Sequence, residues 1–116
     1  MGRTLVCALG ACLAFSALAE NVTFNVKSNH PNKVQVEFYA QGRSHAWPGG
    51  NQAYNLDDSA VHSYRLNCNA GERICYGAWV NGNRNKYWGV GLNNRQRCTS
   101  CCTTCNGGTI SFTLNP

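Results

Sequence analysis

The cysteines constrain this chain more than any other feature. The stretch CTSCCTTC, residues 98–105, places four thiols close together, and Cys68 and Cys75 lie upstream. Two more, Cys7 and Cys12, fall in the opening segment MGRTLVCALGACLAFSALAE. That segment has a basic start at Arg3, an apolar run over residues 5–18 and small residues at Ala17 and Ala19, the layout of a secretory signal peptide. The run is shorter than the ~18 to 20 residues of a spanning helix, and no basic stop-transfer segment follows it. Lipid attachment at Cys12, in LGAC, would leave the apolar LAFSALA behind it, so ordinary cleavage after Ala19 is the better reading. The chain therefore reads as a secretory signal peptide over 1–19 and a single cysteine-stapled domain over 20–116. The expected location is secreted or periplasmic, with no transmembrane segment in the mature chain.

Cleavage there removes Cys7 and Cys12 and leaves Cys68, Cys75, Cys98, Cys101, Cys102 and Cys105. An even number of cysteines in a small exported domain points to disulfides. A domain this short buries only roughly 60 to 70% of the surface its unfolded chain exposes, so covalent bridges supply stability that a thin core does not. A tetrahedral Zn²⁺ site built from two Cys-x-x-Cys units is the main rival. Here the two units share the Cys101–Cys102 peptide, and adjacent side chains in extended backbone point to opposite faces. An exchanging dithiol is a second rival, but it calls for a helix N-terminus in a thioredoxin-like setting, which the sequence does not show. Bridges from residues 98–105 back to Cys68 and Cys75 would stabilise most. A loop such as Cys75 to Cys101 is worth ~3.5 kcal/mol in the chain-entropy treatment, against ~2.5 for a short one. All six cysteines are assigned to disulfides, with no metal and no cofactor.

Beyond the leader, apolar residues alternate with polar ones at Val22, Phe24 and Val26 and again at Val34, Val36 and Phe38. Period two marks half-buried strands, and the intervening NHPN supplies a turn, so 22–39 reads as an antiparallel hairpin. Further strands are expected over 61–66, 73–80, 87–92 and 109–114, each bounded by Asn, Gly, Asp or Pro. No amphipathic helical period is present. The fold class expected is all-β: a small antiparallel sandwich, or partly open barrel, of about six to seven strands with a disulfide-stapled C-terminal loop.

Charge is distributed unevenly. From Glu20 to Glu72 four basic residues face five acids, whereas Arg73, Arg84, Lys86, Arg95 and Arg97 follow without a single acid. A one-signed half either keeps the surface soluble or attracts anionic polymers and membrane surfaces. In RICYGAWVNGNRNKYWGVGL an even loop would pair the flanking strands so that Trp79 and Trp88 share a face. Arg84 and Lys86 would then stand at the tip. These four residues are the candidate binding set, a stacking platform for sugars beside cations, unless the indoles fill the core instead.

No catalytic residue is assigned. His30, His45 and His62 have no spacing that selects them, although Asp57 or Asp58 with His62 could form an acid and histidine pair. Neither a nucleophile-elbow nor a zinc-protease motif occurs. The glycosylation acceptor NVT at Asn21 says little so near the cleavage site. The reading is an exported, disulfide-stabilised, non-catalytic binding or interaction module, toward an envelope, anionic or glycan surface, with no nucleic acid partner expected. The alternatives are a Zn-binding cysteine-cluster protein and a small basic secreted hydrolase of the ribonuclease-like kind.

Overall fold

The structure of the protein, a computed structural model, describes residues 18–116. Residues 1–17 of the expected 1–19 leader, Cys7 and Cys12 among them, lie outside the described residues, while Ala19 opens the first strand. The elements are β1 (Ala19–Ser28), β2 (Val34–Ala40), β3 (Ala46–Trp47), β4 (Tyr54–Leu56), β5 (His62–Asn69), β6 (Arg73–Val80), β7 (Asn83–Gly89), β8 (Cys102–Thr104) and β9 (Thr109–Leu114). Short 3-10 turns occupy Leu92–Asn94 and Thr99–Cys101.

The strands form two sheets facing one another in a sandwich-like arrangement, as the all-β reading expects. One has the order β5-β1-β9, and the other runs β3-β2-β6-β7 with β4 added to β2 and β8 to β6. Alternation dictates what each sheet buries. In β1, Val22, Phe24, Val26 and Ser28 turn inward while their neighbours face out, the period-two pattern of a half-buried strand. The opposing sheet supplies Val34, Val36, Phe38, Ile74 and Ala78. Phe24 and Phe38 meet across the core with ring centroids 4.6 Å apart.

Four sequence expectations change, the first being that the strand expected over 87–92 lies at Asn83–Gly89. Residues 22–39 are not a hairpin, because β1 and β2 belong to different sheets. Both strands bury their apolar faces against each other, and the backbone N–H of Asn29 donates to the Leu114 carbonyl, carrying β1's edge onward along β9. The sheets are also not wholly antiparallel: β1 and β9 pair in parallel, from Thr23 opposite Thr109 to Ser28 opposite Leu114. Finally, residues 98–105 are not all loop. Cys102–Thr104 pairs with Arg73–Cys75 as a short edge strand.

The disulfides are Cys68–Cys105, Cys75–Cys102 and Cys98–Cys101. Cys68–Cys105 fastens β5 of one sheet to the connection leaving β8 of the other. Cys75–Cys102 links two paired strands, and Cys98–Cys101 closes a single turn. The expected bridges back to Cys68 and Cys75 are thus present.

Candidate functional site

The outward faces of the two sheets differ. That of β5-β1-β9 is polar, with Thr23, Asn25, Lys27, Arg65, Ser111 and Thr113. The outer face of the larger sheet is covered instead, so β6 is buried at every residue from Ile74 to Val80. The cover is the segment 90–97, which doubles back over β6. Its approach requires glycine at 77, since a Cβ there would run into the Gly91 carbonyl. Gly91 itself sits at φ 64, a left-handed conformation that glycine adopts without steric cost.

Between this segment and residues 48–53, which form the opposite wall, lies a groove floored by β2. It consists of two adjoining depressions, each of about 840 Å³, that share Glu37, Asn51 and Asn93. The far wall is shaped by consecutive left-handed residues, Gly49, Gly50 and Asn51. Most of the groups presented are carboxamides, from Gln35, Asn51, Gln52, Asn55, Asn93 and Asn94.

Glu37 stands at the centre, with only 8% of its surface exposed. The Tyr39 hydroxyl donates to its Oε1 at 2.8 Å, and the Asn93 backbone N–H donates in turn to the Tyr39 hydroxyl at 2.9 Å. This relay pins the covering segment to the floor. Glu37 forms no ion pair among the described residues. Burial pushes its carboxyl up from the ordinary value, and the hydrogen bond from Tyr39 partly opposes that shift. Burial and the neighbouring carboxylate likewise push the Tyr39 phenol well up. No other acidic side chain lines the groove, and Arg43, His45 and Arg84 are also among its lining residues, so its chemistry is that of a single carboxylate among amide donors and acceptors with cationic and imidazole groups beside them.

Trp79, Trp88, Arg84 and Lys86 do not form one surface. Val80 pairs with Asn83 across the Asn81-Gly82 turn, but Trp79 pairs with Tyr87 and Ala78 with Trp88, because the ladder shifts register between Trp79 and Val80. A slip by one residue sends a side chain to the other face, so the two indoles point to opposite sides of the sheet and the paired platform is absent. Trp79 is 5% exposed and edges the groove, its indole N–H donating to the Gln35 amide oxygen at 3.1 Å. Arg84 lines the same end. Trp88 packs on the core side, its N–H donating to the Asn115 carbonyl at 2.8 Å, with the Lys86 ammonium 5.2 Å from its ring centroid.

The histidines are dispersed. His30 meets the edge of Trp88 and His45 that of Trp47, while His62 reaches Asp58 at 2.7 Å on an exposed turn. His62 holds the Asp58 carboxyl below its ordinary range. All six described cysteine sulfurs outside the leader are engaged in disulfides, and no group of three His, Cys, Asp or Glu among the described residues is placed to hold a metal. No described helix is long and apolar enough to cross a membrane.

Sequence reasoning missed Glu37. Within VQVEFYA it occupies an outward position of an alternating strand, where an acid ordinarily meets water. Its surroundings in the fold include Tyr39, which bonds it directly, and the distant segment 90–97, which Tyr39 ties down. Compared with protein-family models, curated proteins and solved structures, the chain matches none.

Proposed function

We propose that this protein is an exported, non-catalytic binding module whose groove takes a hydroxyl-rich ligand of the glycan class. The observation that carries the reading is the Glu37 centre: a buried carboxylate with one oxygen bonded to Tyr39, surrounded by carboxamides. Sugar hydroxyls both donate and accept, and a carboxylate beside amides satisfies both roles. Trp79 and Tyr39 supply the apolar edges. A lone carboxylate also supports binding over turnover, because glycoside hydrolysis ordinarily uses two carboxyl groups flanking the bond. Export rests on the leader sequence, and the three disulfides accord with an oxidising compartment. The Zn-cluster and ribonuclease-like readings draw less support, since the cysteine sulfurs are bridged and the histidines lie apart.

Titration calorimetry against a panel of soluble polysaccharides, with wild type and Glu37→Gln, tests the proposal. Binding of at least one polysaccharide, weakened about tenfold or more by the substitution, is expected for loss of a charge-assisted hydrogen bond. Equal binding by both proteins, or by neither, overturns it.

A further inference from the structure

We infer that the ligand is an acidic polysaccharide, its uronate carboxylate held by Arg73, Arg95 and Arg97 beside the groove. This rests on the proposed glycan reading and adds the charge of the polymer to it. The three guanidinium-bearing residues line a separate depression of about 330 Å³. Gln41 and Asn94 line both that depression and the groove. Their amides hydrogen-bond reciprocally, at 3.4 and 3.3 Å, and form a polar ridge between the two. A chain lying along the groove would cross this ridge and arrive among the arginines.

The depression is one-signed. No acidic side chain lines it, and the ion pairs among the described residues are Arg43–Glu72 and His62–Asp58, neither of which involves these arginines. The charge asymmetry noted from the sequence is thereby given a location. Arginine suits a carboxylate because its planar fork makes two parallel hydrogen bonds. The scaffold also holds the arginines in place. Arg73 opens β6, and its Nη2 donates to the Thr99 carbonyl at 3.4 Å. Arg95 and Arg97 ride a segment closed by the Gln96 N–H to Val90 carbonyl bond at 2.9 Å and followed at once by the Cys98–Cys101 bridge. A backbone fixed in advance lowers the ordering cost of binding.

The test uses polygalacturonate, dextran sulfate and neutral dextran as probes, with wild type, Glu37→Gln and the triple variant Arg73→Gln/Arg95→Gln/Arg97→Gln. Melting temperatures are recorded first, and the exposed arginines are expected to leave them unchanged. Wild type should bind polygalacturonate more tightly than dextran, with affinity falling as salt rises. The triple variant should lose about tenfold or more of that affinity. Polygalacturonate binding undiminished by the triple variant overturns the inference, and loss on Glu37→Gln alone would leave the glycan reading standing without it. Loss in the triple variant with none in Glu37→Gln supports the arginine site but overturns the groove as the seat of the glycan. Binding of dextran sulfate with no binding of polygalacturonate overturns the assignment to a uronate.

Discussion

At the scale of single residues, Glu37 makes a prediction whose sign is fixed. Its folded-state carboxyl is raised by burial, so the folded protein keeps a proton over a pH range in which the unfolded chain has lost it. The stability this linkage contributes is full below the ordinary carboxyl value and is lost as pH rises through the raised one. Glu37→Gln removes the titration, so the melting temperature of the variant relative to wild type should climb from acid to neutral pH. A signed difference, variant minus wild type, that stays constant or falls with rising pH would contradict the burial argument. The two indoles give a second prediction. Trp79 is nearly enclosed, and truncation to Ala should cost ~3 to 5 kcal/mol. Trp88, which is only partly buried, should cost less when truncated, and urea midpoints of the two variants rank them. What each residue does was only partly readable. The inward set Val22, Phe24, Val26 follows from period two alone, because β1 has one wet and one dry face. Glu37 does not, because its setting includes a segment more than fifty positions away, joined to it through Tyr39.

At the scale of elements, the β6–β7 pair shows where reading stopped. Arg73–Val80 is legible as a strand, and so is Thr109–Leu114, since turn residues bracket both. The face that Trp88 occupies depends on a register shift beside Val80, which no count of loop residues reveals. The short strands β3 and β4 lack any period, being too brief to express one. Disulfide bridges are likewise elements with separable weights. In the chain-entropy treatment, loops with the separations of 37, 27 and 3 residues correspond to ~4, ~3.5 and ~2 kcal/mol. Replacing Cys98 and Cys101 together with Ser should therefore destabilise least, and replacing Cys68 and Cys105 most, as thermal unfolding of the paired variants would show. The reverse ranking would mean that the turn Thr99–Cys101 anchors more of the covering segment than its loop length implies.

At the scale of the molecule, the two sheets depend on a shared core, and Phe24 at its centre is fully buried against Phe38 and Phe112. Phe24→Ala should cost ~3 to 5 kcal/mol, a large part of the ~5 to 15 kcal/mol that holds a typical domain. Combined with reduction of the bridges, it is expected to abolish the cooperative melting transition followed by near-ultraviolet circular dichroism. The parallel pairing of β9 with β1 carries a consequence for the order in which the protein can be made. β1 is synthesised well before β9, yet they are neighbours, so this sheet has no completed form until β9 has been made. Contacts of such long sequence separation close slowly, and until they close one flank of β1 is an unpaired edge of the kind that recruits other chains. A product ending before Thr109 would carry that bare flank permanently, and should be recovered as aggregate while the chain that includes β9 stays in solution.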